Sequence, residues 1–470
     1  MPTSVSRNFR EYVLQRYPKL EGNDPFMRFF RYLCFSDFYD KRTHRLVVPA
    51  KVMAEKFFQK PYTTHFNSKE VLEQFRDQVL PGLQWSEHSP FSSDRWLGTA
   101  REILSTGFDD EMQDRLHQEC LQPSKDQVDF VTGKPFRRQD RYQKAAQETA
   151  EYEKELAKFT LNTTQQKILD QLRDVSAGHT FLRKLHENMD KVKGAIAELK
   201  PEAQEIQYRI LAKVHQNPRI YYLPSPKERT CRLSAHGDCV LGLTKPVRRA
   251  LCAGWVECDL RSSQFAILAS KLEAPVSLAF IDSAESLWRA FYRHAHGVDQ
   301  DPPDDVKKVY KAAIYSICFG KSEPNIATFL NDRGEIELLK HPIVRELLKL
   351  RGEWFQQIRK DKGAFDVWGQ WQALDRSRDP VTKKMVRWEG AIAASVIQSI
   401  EMEVISPIFD VAAKHGKSDQ FHVVFFMHDG CTISFNSDDK KARAQRKLKN
   451  AVENRAKALG IKTILEFTDL

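Results

Sequence analysis

The sequence predicts an α+β protein of two or more domains, on three observations. Its 470 residues exceed the roughly 250–300 that one hydrophobic core covers. Residues 138–225 carry apolar positions at helical spacing, which predicts an elongated, exposed helical hairpin. Strand-like apolar runs occupy residues 219–235, 250–259 and 421–435, and two of these runs flank turn residues as in β-hairpins.

The composition predicts an intracellular globular protein with a polyanionic partner. Hydrophobic residues make up 41% of the chain, and 73 Lys and Arg against 63 Asp and Glu leave a net charge of +10. No apolar run approaches the roughly 18 residues of a membrane span, so we expect no membrane partner and a cytoplasmic location. The eight scattered cysteines form no CxxC pair, which argues against a zinc ribbon and a disulfide framework.

Residues 1–137 predict a mainly helical N-terminal domain. The strand-like run at 42–49 precedes two short helical patterns joined by a Pro-containing turn. This order is typical of a helix-turn-helix or winged-helix unit, although an ordinary helix pair is the more common occurrence. The acidic run at 109–111 favours a helix N-terminus over a metal site, because acids interact well with that end of the helix dipole.

Two aspartates stand where apolar strands end. Asp259 follows ALCAGWVEC, and Asp429 follows FHVVFFMH. A carboxylate at a strand end is held by the sheet and exposed at its edge, which suits an oxygen ligand of a hard divalent cation. Two such carboxylates in one sheet can hold two Mg²⁺ ions for phosphoryl transfer. The alternative for Asp429 is a plain turn residue, since Asp-Gly between apolar runs is a strong hairpin signal.

A third segment places cations and a tyrosine at helical spacing. Lys307, Lys311 and Tyr315 recur every four residues and fall within about 80° on one helix face. Two ammonium groups and an aromatic ring can bind the phosphates and the sugar or base of a nucleotide. The alternative is a solvated basic helix with a core tyrosine.

Together the three segments resemble the motifs of family A polymerases, which include DNA polymerase I and, more distantly, single-subunit phage-type RNA polymerases. DLRSSQFAILA at 259–269 is similar to motif A, KKVYKAAIYSICFG at 307–320 to motif B, and MHDG at 427–430 to motif C. The order of the three agrees with the family. The resemblance implies a right-hand fold with an antiparallel-sheet palm and helical fingers and thumb. It assigns the thumb to 138–225, the palm to 226–285 and 401–470, and the fingers to 286–400.

The resemblance also implies roles for individual residues. Catalysis of this type is mostly positioning and electrostatic stabilisation of phosphate oxygens. Two Mg²⁺ ions are expected, with Mn²⁺ as a substitute, and a primer-template and nucleoside triphosphates are the expected partners, with replication accessory proteins. The implied metal ligands are Asp259, Asp429 and the carbonyl of Leu260; Lys311 and Lys307 would bind the phosphates, and Tyr315 would stack near the sugar and base.

Two further segments resemble nucleic-acid contacts of the family. TCRLSA at 230–235 is similar to TGRLSS, whose arginine touches the duplex, which makes Arg232 a DNA-contact candidate. AASVIQSIE at 393–401 resembles the helix that bears a minor-groove glutamine, here Gln398. His428 would support the turn of the active-site strands beside the nucleic acid.

Some positions depart from the family's DNA polymerase pattern. Gln264 stands where those enzymes carry a glutamate near the sugar, and Phe319 replaces a tyrosine that packs with it. Sugar choice is therefore open, whereas Tyr315 predicts chain termination by dideoxynucleotides. Gly430 replaces a motif C glutamate, and SLWRAF at 286–291 stands in place of a segment that bears a histidine.

The sequence therefore predicts a DNA-directed DNA polymerase without a 3′–5′ exonuclease, because residues 1–137 hold no exonuclease motif. A DNA-directed RNA polymerase or a primase-polymerase of the same fold is the alternative, and a catalytically decayed nucleic-acid-binding replication factor is the second. Six Lys or Arg at 440–449 predict a basic C-terminal helix, which either follows a nucleic-acid backbone or forms a solvated face.

Overall fold

The structure is a computed structural model of the chain. It describes residues 4–36, 45–59, 66–86, 89–93, 96–136, 138–173, 176–225, 230–237, 239–283, 285–378, 385–427 and 430–470.

Helices and strands both contribute to the described part of the chain, with helices predominating. Three short 3₁₀-helices, Pro18–Leu20, Val240–Gly242 and Ile336–Lys340, and a π-helical turn, Met53–Phe57, add to the α-helices. The α-helices are α1 Arg7–Arg16, α2 Asp24–Phe35, α3 Ala50–Val52, α4 Ser68–Gln78, α5 Asp110–Leu121, α6 Arg138–Leu156, α7 Thr163–Leu172, α8 Ser176–Glu187, α9 Met189–Ala197, α10 Pro201–Gln216, α11 Lys245–Leu251, α12 Ser263–Lys271, α13 Pro275–Asp282, α14 Leu287–His296, α15 Asp304–Cys318, α16 Glu323–Asn331, α17 Pro342–Asp361, α18 Glu389–Ile405, α19 Pro407–His415 and α20 Asp438–Ala458.

The strands are short and pair antiparallel wherever a register is defined. They are β1 Ser4–Ser6, β2 Val47–Pro49, β3 Gln84–Trp85, β4 Ser89–Ser93, β5 Trp96–Ser105, β6 Gln127–Asp129, β7 Tyr221–Pro224, β8 Leu233–His236, β9 Val256–Leu260, β10 Gly363–Phe365, β11 Trp371–Ala373, β12 Asp375–Arg378, β13 Met385–Arg387, β14 Phe421–Met427, β15 Gly430–Phe435 and β16 Leu465–Asp469.

The chain divides into two compact units, of which the first comprises Met1–Glu155, Val175–Tyr221 and Ala235–Ala253. Its core is rich in phenylalanine, and Phe29 and Phe30 of α2 are completely buried there. The edge of the Phe75 ring on α4 meets Phe29 at a centroid distance of 4.7 Å. A sheet of order β2-β5-β3, with β4 also paired to β5, belongs to the same unit. Aromatic burial and edge-to-face packing thus stabilise this unit.

The predicted helix-turn-helix or winged-helix unit falls on α3, the π-helical turn and α4. Residues 60–65 of the connection lie outside the described residues, so the unit stays a prediction. The acidic run at 109–111 begins α5, as predicted: the Asp109 side chain accepts a hydrogen bond of 2.9 Å from the Met112 amide. That bond and the ion pair with Arg16 lower the pKa of Asp109.

The stretch 138–225 forms five helices and a strand, so the predicted single exposed hairpin is wrong. Helix α10 buries residues on several sides, including Ile210, Leu211 and the polar Arg209. The guanidinium of Arg209 donates to the carbonyl oxygens of Leu33 and Ser36. A helix that supplies core on several sides cannot be an exposed arm. The assignment of 138–225 to a thumb stays a prediction.

The second unit comprises Leu156–Asp174, Tyr222–Ser234 and Gly254–Leu470. Its central sheet has the strand order β14-β15-β9-β16, so the predicted hairpin and the strand before residue 259 lie in one sheet. The hairpin predicted around 219–235 is present as β7 and β8. The apolar stretch Glu389–His415 is long enough to cross a membrane, but 83% of its window is buried, as in a core helix of a globular protein.

The basic C-terminal helix α20 is largely neutralised by acidic neighbours. Lys447 contacts Asp419 at 2.6 Å, and Lys441 contacts Asp469 at 2.5 Å. Arg455 pairs with Glu403. These contacts pair several of its cations with acidic side chains of the same unit, and the choice between a nucleic-acid contact and a solvated face stays a prediction.

Candidate functional site

A cavity of about 760 Å³ in the second unit collects residues from several distant segments. It is bounded by the end of β9, helices α12 to α15 and the segment that leads into β16. Such a volume is in the range of ligand pockets. Residues that line it include Asp259, Leu260, Arg261, Phe265, Asp282, Glu285, Trp288, Lys311, Tyr315, Lys462 and Glu466.

Asp259 lies near the end of the central strand β9 and is exposed. Its neighbours across the sheet are Gly430 on β15 and Glu466 on β16. Ser262 takes a left-handed conformation (φ 47°), and the chain turns there from β9 into α12. The turn ends the strand beside the cavity. His428 and Asp429 lie outside the described residues; Asp429 immediately precedes Gly430 in the chain.

Gly430 has no room for a side chain. A Cβ at this position would lie 2.3 Å from the carbonyl oxygen of Cys258 and 3.2 Å from the Oδ1 atom of Asp259. Real Cβ atoms essentially never approach within 3.0 Å of another heavy atom. The close approach of β15 to β9 therefore accounts for a glycine at position 430.

Helix α15 presents two of the predicted residues to the cavity. Lys311 and Tyr315 are both exposed and both line it, whereas Lys307, half-buried on the same helix, is not among its lining residues. The Lys311 ammonium lies 5.7 Å from the centroid of the Trp288 ring. An ammonium over an aromatic face is attracted to the ring quadrupole. The helix thus supplies a cation backed by a tryptophan.

Aromatic packing fixes Trp288 relative to α15. The edge of Trp288 meets Phe291 at 6.2 Å, and Phe291 meets Tyr310 of α15 at 6.0 Å between ring centroids. The Tyr310 hydroxyl donates a hydrogen bond of 2.7 Å to Glu335. Burial and this bond to a carboxylate raise the pKa of Tyr310, so the hydroxyl stays a donor.

Two ion pairs add charge to the cavity wall. Arg261 contacts Glu466 at 2.5 Å, and Lys462 contacts Asp282 at 2.5 Å. All four side chains are about half exposed. Exposed pairs of this kind add little stability, so both cations can exchange partners with a bound anion at small cost.

Gln264 and Arg232 meet at one buried carboxylate instead of facing the cavity. The Glu401 side chain on α18 is 1% exposed, forms an ion pair with Arg232 and accepts a hydrogen bond from the Gln264 amide. Ser263 donates to the same carboxylate at 2.8 Å. Gln264 itself is 3% exposed and is absent from the described cavity lining.

The remaining predicted residues are placed around this network. The Thr230 hydroxyl donates to Gln398 on α18, so the segment that bears Arg232 and the helix that bears Gln398 are in contact. Phe319 follows the end of α15, and its ring centroid lies 6.3 Å from that of Tyr315.

Two carboxylates of the cavity stand on neighbouring strands. Asp259 on β9 and Glu466 on β16 are direct partners in the sheet, and carboxylate oxygens are preferred ligands of Mg²⁺, but Glu466 is paired with Arg261. Within the described residues, which omit His428 and Asp429, no group of three or more His, Cys, Asp or Glu is arranged to hold a metal.

Sequence reasoning missed several residues of the cavity. Trp288 stood out only as part of the segment that lacks a histidine, and nothing in the sequence linked Glu466 or Lys462 to Asp259. Glu466 is brought to Asp259 by the register of the sheet, which pairs positions far apart in the chain. Glu401 was noted only as the last residue of a motif, although carboxylates in an apolar helix are a signal of a buried polar network.

No protein-family model matches the sequence, and no curated protein matches it either. Among solved structures, this one is similar to the POL domain of Pol1 from M. smegmatis in complex with DNA primer-template and dNTP. The two are 15% identical, the similarity covers 57% of this chain and 52% of that one, and the TM-score is 0.45. The chain thus spans about half the length of the polymerase chain that it matches. At these values the similarity assigns no role to any residue.

Proposed function

We propose that the chain is a template-directed nucleotidyltransferase, namely a DNA-directed DNA polymerase of family A type without a 3′–5′ exonuclease. One observation carries the proposal: residues of two motif-like segments, Asp259 of the first and Lys311 and Tyr315 of the second, line one cavity large enough for a nucleotide. The third segment joins them through Gly430, which pairs with Asp259.

The strand ends supply the carboxylates. Asp429 precedes Gly430, and neighbouring Cα atoms in a chain are about 3.8 Å apart, so the pairing of Gly430 with Asp259 supports two carboxylates at one edge of the sheet. Asp259, the carbonyl of Leu260 and Asp429 would hold Mg²⁺. Two such ions, when bound, stabilise the attacking and leaving oxygens of phosphoryl transfer.

The helix α15 binds the nucleotide in this proposal. Lys311 neutralises charge on the triphosphate, and Trp288 beneath it holds the ammonium at the cavity. Tyr315 stacks near the sugar and base, and Lys307, one turn earlier, reaches the outer phosphates. Because phosphoryl transfer is catalysed mostly by positioning and electrostatics, these groups act by holding the phosphate oxygens in place.

The primer-template contacts are assigned to the neighbouring network. Arg232 and Gln398 are brought together by the bond from Thr230 to Gln398. The Arg232 side chain is 18% exposed, so part of it is accessible beside this network. His428 would support the strand turn beside the duplex.

A DNA-directed RNA polymerase or primase-polymerase is the second candidate, and the sugar-side residues favour it. Glu401 holds the Gln264 amide away from the described cavity lining, and Phe319 carries no hydroxyl. Neither side chain then forms a polar contact that excludes a ribose. Such a site discriminates weakly between sugars, because rejection of one substrate requires a clash or an unpaired polar group.

The test is a nucleotide-incorporation assay on primed and unprimed DNA templates, with dNTPs and rNTPs offered separately. The proposal expects extension of the primer from dNTPs in the presence of Mg²⁺. Product from rNTPs without a primer would instead establish the second candidate.

Two variants separate the site from contaminating activity. Asp429→Asn removes one proposed metal ligand and should abolish synthesis. Asp410→Asn is the matched control, because Asp410 pairs with Lys167 at a surface of the same unit and should leave synthesis unchanged. Synthesis that survives in Asp429→Asn would refute the metal assignment.

A further inference from the structure

A hairpin of the second unit exposes two aromatic rings that no role assigned so far requires. The aromatic hairpin consists of residues 363–373, that is β10, a turn and β11. Phe365 is 61% exposed, more than any other large hydrophobic side chain of the described structure, and Trp371 is 45% exposed. The two residues are direct partners across the strands, and their ring centroids lie 4.8 Å apart.

The rings are held in place by the backbone beneath them. Gly363 has φ 159°, and a Cβ there would lie 2.5 Å from the Trp371 ring. The absence of a side chain at 363 therefore lets the indole pack close to the strand. Because Phe365 meets Trp371 edge to face at 65°, each ring restricts the other.

The turn of the aromatic hairpin is anchored to the core. Asp366 accepts hydrogen bonds from the amides of Trp368 and Gln370 and from the Gln372 side chain. The Val367 amide donates to Ser399 of α18 at 3.1 Å. The exposed rings thus stand on a rigid support, as a preformed binding surface requires.

A second anchor fixes the same turn. The Trp368 indole donates to Glu403 at 2.9 Å and to the Thr164 hydroxyl at 3.2 Å. Burial alone would raise the pKa of Glu403, but hydrogen bonds from Thr164, Trp368 and Arg455 outweigh it and lower that pKa.

The charge around the aromatic hairpin favours a polyanion. Residues 359–389 carry eight Lys or Arg against five Asp or Glu in the sequence, and among these Arg359 pairs with Glu389. In the described part, Lys360 and Lys362 are exposed just before the first strand. Exposed aromatic rings with exposed cations next to them in the chain match the single-stranded nucleic-acid sites in which bases stack and the backbone follows positive charge.

We propose that the aromatic hairpin is a base-stacking platform for single-stranded DNA, which in the proposed function is the unpaired template. The proposal rests on the proposed polymerase function only in identifying the bound single strand as the unpaired template. Ser399, which anchors the turn, neighbours Gln398, which is assigned to the duplex. The turn of the aromatic hairpin and the residue assigned to the duplex are thus both held on α18.

The experiment measures binding of a fluorescent oligothymidylate of about 16 nucleotides to the full chain, without nucleotide or Mg²⁺. Phe365→Ala removes the ring, and Phe365→Leu keeps an apolar side chain without a π-face. Both should weaken binding by roughly fivefold or more, since stacking supplies about 1–3 kcal/mol per base. Val298→Ala is the control, because Val298 is 44% exposed in the same unit and should bind as wild type.

Tryptophan emission gives an independent readout. Trp371→Phe keeps a stacking face, so its affinity should stay near wild type, while the quenching of protein emission by the oligonucleotide should fall sharply. Wild-type affinity in both Phe365 variants would overturn the proposal. Weakening by Phe365→Ala alone would also overturn it, because it would indicate apolar burial instead of stacking.

The two proposals fail separately. Loss of binding in the Phe365 variants of a chain that extends no primer would support the platform and refute the polymerase. Primer extension by a chain whose oligonucleotide binding does not depend on Phe365 would support the polymerase and refute the platform.

Discussion

Substitution of Gly430 by alanine tests the geometry of the site most sharply. The new Cβ would lie 2.3 Å from the carbonyl oxygen of Cys258, and the nearest tolerable separation is 3.0 Å. Strand β15 must therefore shift by about 0.7 Å relative to β9, in the register that pairs residue 430 with Asp259. A misplacement of about 1 Å costs roughly 10²-fold in rate, or about 2.7 kcal/mol in the barrier.

The assay is single-nucleotide incorporation on a primed template, with kcat and KM measured separately. Gly430→Ala should lower kcat by roughly 10²-fold with a small change in KM, because the cavity wall at Lys311 is untouched. Circular dichroism and thermal melting should report a folded protein.

The matched control is Gly352→Ala. Gly352 lies within α17, and a Cβ there meets nothing within 4 Å. This variant should keep wild-type kcat and gain about 0.5–1 kcal/mol of helix stability. A Gly430→Ala enzyme with wild-type kcat would refute the conclusion that the close approach of these strands positions Asp259.

The other predictions concern the helical part of the site and its buried network. Trp288→Ala should raise KM for the nucleotide about two- to fivefold in steady-state assays and leave kcat unchanged, because Lys311 loses a cation–π contact. An unchanged KM would contradict the role of Trp288 in holding Lys311. Glu401→Gln should lower the melting temperature, because it leaves the largely buried guanidinium of Arg232 without its ion-pair partner. Arg232→Met should restore part of that loss in the double variant, and additive losses would disprove the coupling. Burial lowers the pKa of His341 to about 4 from 6.5, so its neutral ring stabilises the fold fully above pH 6.5, and that contribution is lost as the pH falls from 6.5 towards 4. At pH 5 the loss in free energy of unfolding is about 1 kcal/mol after allowance for solvent around the ring. The melting temperature of His341→Asn, which keeps an acceptor for the Ile343 amide, should depend less on pH between 7 and 5.

The sequence predicted the elements whose signal is local. The strand before Asp259, the two hairpins and the helix with Lys311 and Tyr315 each depend on periodicity or turn residues within a short segment. The cavity that Asp259, Lys311 and Tyr315 share could be anticipated only from the resemblance of three segments in a given order, because periodicity does not indicate which elements meet.

The missed features depend on long-range packing. A carboxylate distant in the chain, Glu401, accepts a hydrogen bond from the Gln264 amide in the core, and the expected place of Gln264 near the sugar stays a prediction. Glu466 reaches Asp259 only through the register of the last strand. The stretch 138–225 suggested an exposed hairpin because its charged residues are frequent, yet polar residues such as Arg209 are buried with hydrogen-bond partners.

The most direct test of the central claim is incorporation of single nucleotides opposite each template base in the presence of Mg²⁺. We expect addition of the complementary nucleotide alone, loss of addition when the metal is chelated, and loss of addition in Asp259→Asn with retained folding. Addition that ignores the template base, or that persists in Asp259→Asn, would contradict it.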